Sequence, residues 1–336
     1  AQEAETGGAT FTFEVGQRLE YVEEEGFTGV TRDEGMRSLT SLGFGISSET
    51  RNQALAFGVS TGVAQNLTNG GPTEFESTRV SLDYRLSNRT AELTFGGFYV
   101  RDEVDDLAFD PSLDEDTITT GIGQREVFNL TTDLTVGRDG PVTGTLTHVF
   151  EKSEFSDTTD PSLNDSLTQR IEGRLGFRVA PNLETYIFGN LSKVDEQGLG
   201  ATDRDTSRVG IGATYEATPA TTLTAEIAYS KEETGGAIVD ATDGMNYAFS
   251  IAHERPNGEI SVRFSEEDTF NGKRRELMVG RAYTLRRGEL SFAVGATKTG
   301  GLGARPIGSL QFDYEIDRNS DIEISFEQSG GIDSAN

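Results

Sequence analysis

The feature that most constrains this chain is an alternation of apolar and polar residues with a period of two, repeated from one end to the other. Successive side chains of a β-strand point to opposite faces, so this pattern marks strands with a different solvent on each side. From Arg79 to Ser87, Val80, Leu82, Tyr84 and Leu86 share one face, and Arg79, Ser81, Asp83, Arg85 and Ser87 share the other. Val209, Ile211, Ala213 and Tyr215 alternate with Gly210, Gly212, Thr214 and Glu216, and Leu223, Ala225, Ile227 and Tyr229 with Thr224, Glu226 and Ser230. The same rhythm runs through Leu290 to Thr297 and Leu310 to Ile316. A helical period fits none of these segments.

The connections supply a second signal, because short turns alternate with long polar stretches. Turn chemistry stands at Ser87-Asn88-Arg89, Arg138-Asp139-Gly140, Ala180-Pro181-Asn182, Thr218-Pro219-Ala220, Pro256-Asn257-Gly258, Arg286-Arg287-Gly288 and Asp317-Arg318-Asn319, where Gly, Asn and Pro supply the dihedrals a tight reversal needs. Long loops are expected near 22–36, 65–76, 101–119, 152–167, 193–206, 232–243, 266–273 and 298–306. This division predicts about seventeen strands, each of the roughly 9–11 residues with which a tilted strand crosses a bilayer.

Composition agrees. A hydrophobic fraction of 34% and a mean hydropathy of -0.44 are low for one soluble core of 336 residues. A membrane barrel accepts them, since only one face of each strand meets lipid. No apolar run approaches the roughly 18 residues of a transmembrane helix. The 40 glycines and the recurring Ser and Thr show no break along the chain, which predicts one domain over 1–336. A net charge of -27 excludes nucleic acid as a partner, whose phosphates require basic surface. Absence of cysteine suits an exported protein, and Ala1-Gln2-Glu3-Ala4 reads as the start of a mature chain after removal of a signal peptide.

The expected fold is therefore all-β: a transmembrane antiparallel up-and-down β-barrel of about 16–18 strands, with short periplasmic turns and long outer loops. Bacterial single-chain barrels have even strand numbers, so a count of seventeen implies either one strand miscounted or, the favoured expectation, a final C-terminal strand missing. Gln17-Arg18-Leu19-Glu20, followed by Leu42-Gly43-Phe44-Gly45-Ile46-Ser47-Ser48-Glu49-Thr50-Arg51, resembles bacterial outer-membrane porin-like β-barrels, in particular uncharacterised acidic ones of alphaproteobacteria. The resemblance implies the architecture and an outer-membrane location.

A barrel of this width leaves an aqueous channel unless loops fold inward. The expected pore-lining charges are Glu14, Arg18, Arg79, Asp83, Arg85, Glu172, Arg174, Arg178, Arg208, Glu226, Arg263 and Asp313; general porins set such opposed charges across the pore. Cross-strand ion pairing that holds the wall together is the plainer reading of the same residues. The Asp102 to Asp116 stretch, with Asp105, Asp106, Asp110, Asp114, Glu115 and Asp116, and the Glu23-Glu24-Glu25 run have the hard-oxygen chemistry for Ca²⁺ or Mg²⁺. They lack EF-hand or nonapeptide spacing, and simple solvation of surface loops is the favoured reading. Arg274-Arg275 and Arg286-Arg287 read as turn pairs that flank the membrane or face phosphate, His148 and His253 as rim residues, and Tyr99, Phe150, Tyr229 and Tyr283 as members of interfacial girdles.

No nucleophile elbow, His-centred triad or phosphate loop appears, so no enzyme activity and no cofactor are expected. The expected function is passive diffusion of small hydrophilic solutes with a preference for cations. The alternative is an occluded structural or binding barrel that engages lipopolysaccharide, a surface layer or a partner protein. Outer-membrane lipid, lipopolysaccharide and a homotrimer are the expected partners.

Overall fold

The computed structural model describes residues 8–25, 31–68, 73–103, 123–158, 163–198, 200–235, 240–269, 272–317 and 320–328. Within them the regular structure is strand throughout: β1 (Ala9–Glu25), β2 (Thr31–Glu49), β3 (Gln53–Asn66), β4 (Thr73–Ser87), β5 (Ala91–Glu103), β6 (Gln124–Val136), β7 (Val142–Ser156), β8 (Asp165–Ala180) and β9 (Leu183–Gln197). There follow β10 (Arg204–Thr218), β11 (Thr221–Thr234), β12 (Asp240–Arg255), β13 (Gly258–Thr269), β14 (Gly272–Leu285), β15 (Gly288–Thr299), β16 (Arg305–Asp317) and β17 (Ser320–Gln328). The number matches the seventeen expected from alternation.

The chain divides into two compact units. The first comprises residues 1–139, 145–171 and 192–203, and the second 140–144, 172–191 and 204–336. In the first, β1 to β6 pair in sequence order, each antiparallel to the next. In the second, β10 to β17 do the same. Sequence neighbours pair because a tight reversal brings two alternating segments side by side with their apolar faces already in phase.

Register converts the one-dimensional alternation into rows. In the first unit Phe13, Phe44, Val59, Val80, Tyr99 and Phe128 lie opposite one another on successive strands. The row closes with ring contacts of 5.1 Å for Phe13–Phe44 and 5.9 Å for Phe128–Phe150. On the other face Thr10, Ser47, Ala56, Asp83, Gly96 and Thr131 form the corresponding row. The second unit repeats this with Tyr215, Leu223, Ile251, Val262, Val279 and Val294 on one face, and Gly212, Glu226, Ala248, Ser265, Glu276 and Thr297 on the other.

The apolar rows are the exposed ones. Phe13 is 79% exposed and Val294 60%, whereas only Ala64, Tyr186 and Ala228 are buried hydrophobics among the described residues. A water-soluble β-sandwich hides its apolar face between two sheets; here that face lies open, as a lipid-facing wall requires. Hydrogen-bonded ladders also satisfy the backbone groups that a bilayer core cannot solvate.

The tight turns fall where their residues predicted. At β4–β5 the Asn88 carboxamide oxygen accepts from the backbone N–H groups of Thr90 and Ala91, both at 2.8 Å. At β12–β13 Gly258 has φ +123°, and a Cβ there would meet the Ala282 carbonyl oxygen. One reversal escaped the sequence reading. Thr50 closes β2–β3 by donating its N–H to the Gln53 carbonyl at 2.7 Å, while its hydroxyl accepts from Gln53 N at 3.2 Å.

The strands are longer than expected, from 9 residues in β17 to 19 in β2. They run on through much of what reads as loop: Glu23, Glu24 and Glu25 belong to β1, and β13 and β14 leave only 270–271 between them. The reason is that a ladder needs hydrogen bonds and cross-strand partners, not apolar side chains. Past the apolar rows, cross-strand charge pairs such as Lys273–Glu266 at 3.1 Å and Arg275–Glu266 at 2.7 Å take over. Arg274 and Arg275 are accordingly not a turn pair but successive residues of β14 on opposite faces, whereas Arg286-Arg287 is the β14–β15 turn. His148 is likewise no rim residue: it is the seventh of fifteen residues in β7. His253 stands three residues from the β12–β13 turn, with its Nδ1 2.9 Å from the Thr221 hydroxyl.

Candidate functional site

The register places Glu14, Arg18, Arg79, Asp83 and Arg85 on the polar face of the first unit. It places Arg208, Glu226, Arg263 and Asp313 on that of the second, and Glu172 and Arg174 meet side chains on that face too. How these charges are partnered differs along the wall.

At the turn end of the first unit, small residues keep the polar face low. Ala54 and Ala56 on β3, Gly96 on β5 and Thr131 on β6 line a recess of about 900 Å³ with Asp83, Arg85 and Asp133 at its border. Arg85 closes on Glu92 with Nη2 to Oε2 at 2.6 Å and Nε to the same oxygen at 2.9 Å. Arg138 takes the other oxygen at 2.8 Å. One carboxylate thus bridges two guanidiniums from different strand ends, a charge-assisted arrangement that holds both heads in fixed positions. Asp133 accepts from the Thr147 hydroxyl at 2.6 Å and Glu151 from the Asn129 amide at 2.9 Å. Further along, Arg79 lies over the Phe98 ring at 5.8 Å.

In the second unit glycines again keep the polar face low, but aromatic rings occupy the space. Tyr186 on β9 is only 3% exposed and lies against Gly212 of β10, where a Cβ would collide with its ring. Phe188 covers Gly210 in the same way, 2.6 Å from where a Cβ would stand. The Tyr186 hydroxyl passes across β10 and donates to Glu226 Oε1 on β11 at 2.8 Å. Arg174 stacks over the Tyr186 ring at 3.5 Å from its centroid and donates to Glu184 at 2.9 Å. Arg208 approaches Glu226 Oε2 at 3.8 Å and lies over Phe188 at 5.4 Å, while Asn190 donates to Glu172 at 2.9 Å. Four of the expected charges, Glu172, Arg174, Arg208 and Glu226, therefore meet partners within one patch around two flat rings.

The remaining expected residues stand apart from this patch. Arg178 is near the β8–β9 turn, its backbone N–H bonded to the Pro141 carbonyl at 2.8 Å. Arg263 faces Ser250 and Met278. Asp313 accepts from Gln311 at 3.1 Å and stands in register with Glu289, as Glu254 does with Glu259.

Glu92, Arg138, Tyr186, Phe188 and Asn190 were not singled out by sequence. Their roles depend on which strand lies beside which and in what register. The one local cue is that Tyr186 and Phe188 stand two residues apart with Ile187 between them, and that the Gly210-Ile211-Gly212 repeat follows on the next strand. Charge is also not confined to the polar face: Arg281, Glu266, Lys273 and Arg275 share a face with Leu277 and Val279. Arg281 caps the β12–β13 turn by donating to Asn257 at 2.8 Å and rests on Tyr283 at 4.3 Å.

Asp105, Asp106, Asp110, Asp114, Glu115 and Asp116 lie outside the described residues. Among the described residues no group of three or more His, Cys, Asp or Glu side chains is arranged to hold a metal ion.

No protein family matches the sequence, and no curated protein matches it. Solved structures do resemble it. The FrpB iron transporter of Neisseria meningitidis (F3-3 variant) aligns with a TM-score of 0.63 at 10% identity, over 96% of this chain and 61% of that one. The ferric-catecholate import receptor Fiu of E. coli K12, in its open form, gives 0.57 at 10% identity over 86% and 62%. The siderophore receptor PiuA of Acinetobacter baumannii gives 0.55 at 11% over 95% and 64%. The chain spans about three fifths of the length of these proteins. At such identities the likeness speaks for the fold, which is the antiparallel up-and-down strand wall of an outer-membrane β-barrel.

Proposed function

We propose that the chain forms a passive channel of the bacterial outer membrane for small hydrophilic solutes. The observation that carries this reading is the pair of unlike faces kept in phase over ladders of consecutive strands in each unit. The apolar face is open to lipid, and the polar face carries fixed charges of both signs. A wall of sixteen or more strands encloses an aqueous lumen, and solutes then cross by sieving and electrostatics, with no turnover. Cation preference is supported by carboxylates opposed in register, Glu254 to Glu259 and Glu289 to Asp313, and by the net charge of -27. Like charges this close focus a negative potential into the mouth they border.

Reconstitution in a planar bilayer tests this. Stable ohmic steps, with a reversal potential in a salt gradient of the sign set by cation flow, are the expected result; a sealed bilayer at saturating protein removes the reading. The second reading, an occluded receptor-like barrel, is favoured by the rings that cover Gly210 and Gly212 on the polar face and by the resemblance to iron transporters and siderophore receptors named above. It predicts a folded, inserted protein that conducts nothing until a ligand is added.

A further inference from the structure

We propose that the apolar face of each unit carries, at the strand ends away from the tight turns, its own docking surface for phosphate-bearing glycolipid headgroups of the outer leaflet. The proposal rests on the reading above that this face meets lipid and that the long connections lie outside the cell.

Its first ground is a pattern in strands that run in the same direction. Tyr99-Val100-Arg101, Phe150-Glu151-Lys152-Ser153-Glu154, Leu191-Ser192-Lys193-Val194-Asp195 and Tyr229-Ser230-Lys231-Glu232-Glu233 end β5, β7, β9 and β11. Each places a large apolar residue, then a base two positions on and an acid two positions further in the sequence. In a strand these all project from one face. The pairs are formed: Lys152–Glu154 at 2.6 Å, Lys193–Asp195 at 2.8 Å and Lys231–Glu233 at 2.7 Å. Arg101 uses Glu126 of the neighbouring strand, at 3.6 Å. All four bases keep about half of their side-chain surface exposed.

The second ground is a juxtaposition of like charges. On β14 and β15 the register sets Arg275 directly opposite Lys298, with Lys273 on the same face of β14. Glu266 accepts from both Lys273 and Arg275, yet three bases meet two acids, Glu266 and Asp268. Like charges directly opposed destabilise a ladder, and an anion between them removes the penalty. Ion pairs this exposed add little to stability, so the recurrence of the pattern in both units calls for another use.

Phosphate supplies one. Ammonium and guanidinium groups donate charge-assisted bonds to its oxygens, and the adjoining carboxylates have the hard oxygens with which Mg²⁺ or Ca²⁺ bridges to a second phosphate. Tyr99, Phe150, Leu191 and Tyr229 sit one step deeper, where amphipathic rings and aliphatic chains meet the boundary between headgroup and acyl chain. The apolar face at the turn end lacks this arrangement among the described residues; it has Arg281 on Tyr283 and His253 beside Thr221.

Native mass spectrometry of the detergent-solubilised full chain tests the proposal, with bisphosphorylated lipid A, its dephosphorylated form and phosphatidylethanolamine as probes. The unmodified chain retains lipid A, and replacing Lys152, Lys193, Lys231 and Lys298 by Gln weakens that retention by about tenfold or more, the weight of a lost charge-assisted contact. Phosphatidylethanolamine binding stays unchanged, and R281Q at the other end behaves as the unmodified chain. Because the fourfold variant could misfold, E154Q/E233Q serves as a second probe: it keeps the bases and makes lipid A retention insensitive to chelation of Mg²⁺. Equal retention of dephosphorylated lipid A, full displacement by millimolar inorganic phosphate, or undiminished binding by the folded fourfold variant overturns the proposal. Failure of the underlying barrel reading looks different: the unmodified chain is then monodisperse without detergent and retains none of the three lipids.

Discussion

Two stretches of polar face use small residues, glycine among them, to opposite ends. Around Asp83 and Arg85 the small side chains of β3 to β6 leave an open recess of about 900 Å³ bordered by charges. Around Tyr186 the glycines of β10 are covered by the rings of Tyr186 and Phe188. A missing Cβ is therefore neither a pore feature nor a packing feature in itself. What decides is whether the neighbouring strand offers a side chain long enough to lie across it. In the first case the charges find each other, as Arg85 and Arg138 do on Glu92; in the second they stack on aromatic faces and reach carboxylates past them.

The largest effect expected from disturbing this contrast is at the ring itself. Tyr186→Ala removes a nearly fully buried aromatic and leaves Gly212 uncovered, lowering the unfolding free energy by about 3 kcal/mol in urea titrations of the protein folded in vesicles. A loss under a third of that would show that the ring merely rests on the wall. Gly212→Ala acts from the other side, forcing the ring off its place at about 2 kcal/mol. The two substitutions together should cost much less than their sum, since they disrupt the same contact; strict additivity would separate the residues.

Converting the open stretch into the covered one gives a smaller energetic effect and a functional one. Gly96→Phe projects into the recess, where the nearest atom to a new Cβ is Asp83 Oδ1 at 3.4 Å. Stability should move by about 0.5 kcal/mol or less, while single-channel conductance falls; unchanged conductance would place the recess off the permeation path. The smallest effect is expected for Arg138→Gln, which frees one oxygen of Glu92. The urea midpoint stays where it is, because exposed pairs contribute little, and the zero-current potential shifts toward cations. A shift toward anions contradicts the assignment of Glu92 to the pore surface.

Much of the wall is readable from sequence because a strand's two faces are set locally. Val80, Leu82, Tyr84 and Leu86 against Arg79, Asp83 and Arg85 need no knowledge of any other segment, and neither do turns such as Pro256-Asn257-Gly258. Two things were hidden. The polar ends of strands look like loops, since hydropathy is silent on a ladder held by Lys273, Glu266 and Arg275. The partnerships of the candidate site also depend on register: nothing near Tyr186 in the sequence announces Glu226, forty residues on. Likewise, Arg274 and Arg275 resemble a turn until the Gly272 that starts their strand is located.

Pairing each strand with its sequence neighbour has a consequence for how such a wall is made. Within one ladder, the chain enclosed between partners runs from the two turn residues separating Leu285 and Gly288 to the stretch between Arg274 and Thr299. Closing intervals this short removes little chain entropy, and topologies built from local contacts are quick to form. Assembly can therefore advance hairpin by hairpin, each finished strand presenting a ready template to the segment beside it.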